Sequence, residues 1–233
     1  MKDWTAIYRD RSPSMKSKAA LVCVHLLIAV AALWLMFWGG IYKVDSFLGR
    51  SHQLATRVRR GILMGAAGLY FLRTAMTILV FLKRRMGWPE VGIIALWMMV
   101  ARILFAYLGG RDDTSFGMMG IIGVVLLLAG SVVNTATEWQ RHQWKQQLEN
   151  AGHLYTGGLF RYARHINYFG DEVLFTGWAL ITGQVELLII PAIMAFGFLF
   201  GNIPALNRYL EERYGDDFQD YERTTKRFIP YVY

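Results

Sequence analysis

Long apolar runs return along the whole of this 233-residue chain, and runs of that length have few ways to fold. Positions 19–40 contain one His and one Cys, and positions 61–82 carry a single charge, Arg73. Positions 91–110 carry one, Arg102, and positions 117–133 carry none. Two further runs, 173–183 and 185–201, are divided only by Gln184, with Glu186 just beyond it. A helix needs about 20 apolar residues to cross the hydrocarbon core of a bilayer, and there the backbone must satisfy its own hydrogen bonds. The first four runs meet that length. The last two read as two spans, the shorter extended by residues before Val173, or as a helical hairpin with a tight turn at Gly183-Gln184. The first run is too long for a signal peptide and lacks a small-residue cleavage pattern. The expected fold is therefore an all-α integral membrane protein, a bundle of six or seven transmembrane helices. Its length leaves room for one domain and none for a separate soluble catalytic domain.

Charge follows the same logic. Charged residues make up 18% of the chain, against about 25% in soluble domains. The net charge of +8 could suggest a nucleic-acid partner. The positions of the basic residues argue for a membrane instead, because cytoplasmic loops gather Lys and Arg. With six spans, 17 of the 25 Lys and Arg fall in segments 1–18, 83–85, 138–168 and 204–233, all on one side. That side is read as cytoplasmic, and it includes the C-terminus. Segment 41–60, with five basic residues, fits the outer side badly. A seventh span or an interfacial segment there would move the N-terminus outside and leave the C-terminal half unchanged. Cys23 is the only cysteine. It permits no intramolecular disulfide and no thiolate metal site, and small apolar filler is the role expected of it. No metal is expected.

Polar residues are unevenly placed. Segment 134–171 holds three of the five His and the pair Gly157-Gly158, whereas the first half is mostly apolar helix. The division expected is therefore 1–133, helices forming a substrate side, and 134–233, a cofactor-binding region, within one membrane domain. The charged tail begins near Asn202. Its Leu206, Tyr209, Leu210 and Tyr214 recur at helical spacing, and Gly215 marks the end of an amphipathic helix. The last residues, 228–233, are too apolar for a free tail and are expected to dock. There is no internal repeat.

Asn134 and Glu138 are four residues apart, so one helical face presents both. That face continues through Arg141 or His142 to Lys145. An amide, a carboxylate and bases in that order suit a ribose hydroxyl and a phosphate; they suit equally a helix end leaving the membrane. Downstream, Arg161, Arg164, His165, Asn167, Tyr162 and Tyr168 crowd into eight positions, and Asp171 and Glu172 follow at the mouth of an apolar run. Ionisable groups at a membrane edge are costly and point to function.

The segment Gly158-Leu-Phe-Arg-Tyr-Ala-Arg-His-Ile-Asn-Tyr-Phe-Gly-Asp-Glu172 resembles the C-terminal signature of the steroid 5α-reductase and sterol C=C reductase superfamily. The isoprenylcysteine carboxyl methyltransferases carry a similar Arg-His-Pro-x-Tyr-x-Gly motif, and here Ile166 stands where that motif has Pro. The tail Tyr214-Gly-Asp-Asp-Phe-Gln-Asp-Tyr221, followed by Arg227-Phe-Ile-Pro-Tyr-Val-Tyr233, resembles the sterol reductase ending. Asn134, Glu138, Lys145 and Gly157-Gly158 fill a 5α-reductase pattern, and Tyr70-Phe-Leu-Arg-Thr74 resembles the segment whose Tyr faces the substrate carbonyl. The resemblance implies NADPH held by Asn134, Glu138, Lys145, His153, Arg161, Arg164, His165, Asn167 and Tyr168, with Asn207, Arg208, Tyr209 and Tyr221 from the tail. It implies NADPH-dependent reduction of a C=C bond in a steroid-like or isoprenoid-like enone dissolved in the bilayer, with Tyr70, Asp171 and Glu172 as catalytic candidates. Tyr70 is expected across a cavity from the 167–172 loop. Two departures stand out: no Gln-Glu pair precedes Tyr70, and Lys145 and His153 replace arginines of the pattern. The alternative is an S-adenosylmethionine-dependent lipid or thiol methyltransferase, since the Arg164-His165-x-Asn-Tyr-x-Gly segment suits either adenosine cofactor. A transporter is disfavoured, because the polar groups gather at one end rather than at the midplane of two repeats.

Overall fold

The computed structural model describes residues 9, 10 and 12–233, so part of the basic segment 1–18 assigned to the inner side lies outside the described residues. The described chain is all helix, with no strand among the described residues. Helix α1 is Met15–Phe37, α2 Gly40–Phe47, α3 Arg57–Met76, α4 Trp88–Arg111, α5 Met118–Gln146 and α6 Ile166–Ile181. Helix α7, Ile189–Gly197, passes through a π-turn at Phe198–Asn202 into α8, Ile203–Tyr214, and α9 is Asp216–Thr224.

Five helices are long and apolar enough to cross a membrane: Met15–Phe37, Arg57–Phe81, Trp88–Arg111, Met118–Gln146 and Val185–Tyr214. Their outer faces are apolar. Leu26 and Leu27 of α1, Leu72 of α3, Ile93 and Leu96 of α4, Val125 and Val132 of α5, and Ile193 and Phe196 of α7 are all exposed. A soluble protein would not show water so many large apolar side chains on so many faces; a bilayer accommodates them. Helix α6 has only 16 residues and most of one side in the core. It is a central short helix rather than a sixth span by length. Segment 41–60 holds α2, an eight-residue helix too short to cross, so no seventh span forms there. Cys23 is exposed on α1, which corrects the expectation of an internal filler: its side chain points outward with Leu26 and Leu27.

Two groups of helices build the bundle. Helices α1, α3 and α4 pack on one another, and α5 packs along the length of α6. The second contact is the tighter, and glycine makes it possible. A Cβ on Gly130 would lie 2.4 Å from the Gly170 carbonyl oxygen, and a Cβ on Gly177 would lie 2.5 Å from that of Gly123. Both helices thus carry glycines seven residues apart on the facing stripe, and the backbones meet directly, as small residues allow between membrane helices. Phe175 and Trp178 on the other side of α6 join Phe105 of α4 and Tyr70 of α3 in the main core. Helix α6 is therefore the shared wall of both groups.

Helix α5 is continuous across positions 133 and 134. At 29 residues and 1.5 Å per residue it is about 44 Å long, well over the ~30 Å hydrocarbon core, so the turns beyond Asn134 leave the apolar layer. The turn at Gly183-Gln184 forms as the sequence suggests, with Gly183 at φ 77°. The tail helix ends at Gly215, also as expected, but it does not start afresh near Asn202: α7, the π-turn and α8 form one rod. Pro204 explains the π-turn. It has no N–H to return to the preceding turn, and the backbone there widens instead of breaking. The end of the chain docks only in part: Arg164 and His165 donate their backbone N–H to the carbonyls of Lys226 and Arg227 at 2.8 and 3.1 Å, and Phe228 is buried, but Ile229, Tyr231, Val232 and Tyr233 are exposed.

Candidate functional site

Two polar clusters meet at α6. The first lies where α5 leaves the apolar layer. Asn134, Glu138 and Asn167 are all buried. The Asn134 side-chain amide donates to the Asn167 carbonyl at 2.9 Å, and the Asn167 amide donates to Glu138 Oε1 at 3.0 Å. Arg141, one turn on, pairs with the other Glu138 oxygen. Asn134 Oδ1 is buried and has no hydrogen-bond partner among the described residues.

His165, the residue before α6, is buried at 1% exposure. Its Nε2 lies 2.7 Å from Asn207 Oδ1 of α8, and its Nδ1 is buried without a partner. Burial, the largest influence, pulls its pKa down to about 4, so the ring is neutral near pH 7. The His165 ring stacks on Tyr168, and Tyr168 stacks on Phe198 with centroids 4.7 Å apart. Phe198 belongs to the π-turn, so the irregular turn supplies the outer ring of this aromatic stack. π-Turns occur often at functional sites. Arg164 is buried, pairs with Glu222 of α9 and lies over the Phe218 ring. Tyr221 donates to the Phe160 carbonyl at 2.6 Å, and burial pushes its phenol pKa up. These contacts fasten α9 under the 158–165 segment, where Phe160, Ala163, Ile166, Phe218 and Tyr221 form a small core.

The expected cofactor residues thus divide. Asn134, Glu138 and Asn167 come together, as do Arg164, His165, Tyr168 and Asn207. Tyr221 sits beneath them as a brace. Lys145, His153, Arg161 and Arg208 are exposed, and Arg161 lies over Tyr162. Tyr209 accepts from Arg213 at 2.9 Å on the outer side of α8.

The second cluster is deeper. Tyr70 is buried on α3, its ring edge-on to Phe175 at 5.3 Å, and its hydroxyl meets Met98 Sδ at 3.0 Å. Arg73, one turn on, pairs with Asp171 at 2.7 Å. Glu172 has Oε2 buried without a hydrogen-bond partner among the described residues. Asp171 and Glu172 do not belong to a loop: segment 167–172 lies within α6, whose first turn begins at Ile166. Tyr70 faces that helix through packed aromatic contact.

Three residues of the second cluster were not among the expected site residues: Arg73, Arg102 and His25. Arg102 and His25 are each 1% exposed. The signal for the two arginines was in the sequence, since each is the sole charge of an apolar run. His25 gave the same signal in the first run. Arg141 and Glu222 were also missed as partners of Glu138 and Arg164.

Comparison with known proteins places the chain in a family. The family described as "Protein of unknown function (DUF1295)" matches residues 90–225, more than half of the chain. Among curated proteins, the Delta(14)-sterol reductase erg24 of Schizosaccharomyces pombe is 35% identical over 89 residues, 37% of this chain and 21% of that protein. The 3-oxo-5-alpha-steroid 4-dehydrogenase 1 of Bos taurus is 26% identical over 132 residues, 57% of this chain and 49% of that protein. The 3-oxo-5-alpha-steroid 4-dehydrogenase 2 of Homo sapiens is 27% identical over 112 residues, 48% and 42% of the two chains. The matches thus span between about a fifth and a half of these relatives' lengths. With all-α architecture, five apolar helices and a family match over most of its C-terminal two-thirds, the chain belongs to the DUF1295 family, within the steroid 5α-reductase superfamily.

Proposed function

We propose that this protein is an NADPH-dependent reductase of a C=C bond in a membrane-soluble enone lipid, steroid-like or isoprenoid-like. One observation carries the reading: α6 joins the two clusters within a single turn. Asn167 bonds Glu138 in the outer cluster, and Asp171 pairs with Arg73 beside Tyr70 in the inner one. Four helical residues rise about 6 Å, so a group held by the outer cluster reaches the inner one without a gap in the wall. The matched reductases are steroid and sterol enzymes, which favours this chemistry over methyl transfer.

The residues suit a dinucleotide. Asn134 Oδ1 and His165 Nδ1 are buried polar atoms in want of partners, and such atoms normally find one. The stacked His165, Tyr168 and Phe198 rings provide flat apolar surface beside them. Arg161, Lys145 and Arg208 are exposed and supply positive charge for phosphates, and His153 adds a ring nitrogen for hydrogen bonding. When bound, NADPH supplies a hydride. The chain's own part is to hold the lipid carbonyl and to manage charge. The Tyr70 hydroxyl polarises that carbonyl or gives it a proton, Asp171 holds Arg73 against the Tyr70 ring, and Glu172 is a second carboxyl within the same turn.

In this reading the short α6 carries the chain back between the fourth and fifth long helices, so that the C-terminus and the 138–168 segment both face the cytoplasm. The 1–133 helices form the substrate side and the 134–233 region holds the cofactor, with α5 serving both. A reporter fused after Tyr233 should read as cytoplasmic. Purified protein should gain thermal stability with NADPH and none with S-adenosylmethionine; the reverse result would replace the reductase by a methyltransferase.

A further inference from the structure

Tyr70 is approached by two guanidinium groups that are differently matched. Their carbons lie 5.1 Å (Arg73) and 5.7 Å (Arg102) from its ring centroid. Arg73 has Asp171. Arg102 has no carboxylate partner among the described residues. It donates to two backbone carbonyls, His25 at 3.1 Å and Ala67 at 3.4 Å, and its Nε is buried without a partner. His25 is as deeply buried. Both of its ring nitrogens lack hydrogen-bond partners among the described residues, and its ring stacks near Tyr70 at 6.1 Å. The Tyr70 hydroxyl meets the Met98 thioether and the Thr74 side chain.

These groups share one deficit. A buried cation is expensive unless an opposite charge answers it, and a buried imidazole with both nitrogens idle is costly too. Carbonyl dipoles from α1 and α3 hold the Arg102 head in place but carry no net charge. Two potential donors, Arg102 and His25, lie against the Tyr70 ring, and neither has a negative partner among the described residues.

We infer that Arg102 and His25, beside Tyr70, form a site for an anionic oxygen of a lipid, so that the amphiphile bound here ends in a carboxylate or a comparably acidic oxygen. The inference rests on the reading of this cluster as the substrate side. It differs from a purely structural role, in which Arg102 only clamps α1 to α3.

Trp178 reports on the site, because its ring lies 5.7 Å from that of Tyr70. Brominated lipids quench tryptophan on contact, so the probes are 9,10-dibromostearate and its methyl ester, titrated at pH 8 into the detergent-purified full chain. The acid should quench saturably, with half-saturation at least tenfold lower than the ester, and a Trp178→Phe variant should lose most of the saturable part. Arg102→Gln should abolish the preference for the acid, and Arg102→Lys should retain part of it. Equal quenching by acid and ester in the natural protein would overturn the inference. So would a preference that survives Arg102→Gln, even if that variant melts earlier, since a clamp alone predicts lower stability with unchanged discrimination. If Arg102→Gln fails to fold, the acid–ester contrast and Arg102→Lys still decide. Stabilisation by NADPH, measured on the same preparation, reports separately on the reductase reading.

Discussion

The two ends of the bundle handle buried charge in opposite ways. At the end built by α2 and the α4–α5 connection, each buried ion finds its opposite. Arg59 pairs with Asp112 and also donates to Thr114 and Ser115, while Asp45, fully buried, pairs with Arg111 and accepts from the Tyr107 hydroxyl at 2.7 Å. At the Tyr70 end, Arg102 and Glu172 have no such partners among the described residues. Matched charges hold a fold closed, and the unmatched ones create a demand that a ligand can meet. The first end is closed on itself, and the second keeps the charges that the proposed function calls on.

The sharpest test removes one oxygen. Tyr70→Phe keeps the ring among Phe175 and Trp178, so the fold should stay intact. Enone reduction at saturating NADPH should fall about 10²–10⁴-fold, the usual worth of general acid–base catalysis, with cofactor affinity unchanged. Full activity would leave Asp171 and Glu172 as the remaining candidates. The matched end should respond in stability alone. Asp112→Ala leaves Arg59 buried without its carboxylate, a change that costs up to about 3–5 kcal/mol, read as a lower melting point with the turnover of surviving protein unaltered. Lost turnover at full stability would erase the distinction between the two ends.

Smaller effects sharpen it further. Lys145→Ala should weaken NADPH by up to about tenfold and NADH less, in the range of an exposed charge-assisted contact; equal loss would show that Lys145 does not read the 2′-phosphate. His165 gives a pH signature. Its folded-state value of about 4 lies below the ordinary 6.5, so between those values the unfolded chain binds the extra proton. Stability should therefore be full above pH 6.5 and decline as pH falls towards 4, and His165→Gln should flatten that part of the profile. At the opposite end Asp45 acts at lower pH. Burial pulls its carboxyl up, but hydrogen bonds from Tyr107 and Arg111 outweigh this and lower it below 3.8. Its contribution should persist above pH 3.8 and vanish only as pH falls through the depressed value.

Much of this was legible from apolar run length and polar spacing. Four spans followed from counting, and the hairpin at Gly183 from its turn residues. Asn134 with Glu138 followed from helical periodicity, and the docked tail from its apolar composition. What sequence could not give was depth. Lys145 and Arg164 look alike as basic residues near a glycine pair, yet one is exposed and the other buried against Phe218, because tail helix α9 folds under only one of them. Asp171 and Glu172 are expected at the end of a 167–172 loop, at the mouth of an apolar run. Gly170 is instead there to let α5 approach, and the helix runs through it. Cys23 looked internal because its run is apolar, but an apolar run in a bilayer has two apolar sides.

The glycine seam between α5 and α6 has a mechanical consequence. Backbone lies against backbone at two heights, so neither rod can slide or roll without a collision that no rotamer change relieves. The pair behaves as a jig. It fixes the offset between Glu138 and Asn167 on one side and Asp171 on the other, and so sets, to within a fraction of a residue step, the distance over which anything held at one station must reach the other.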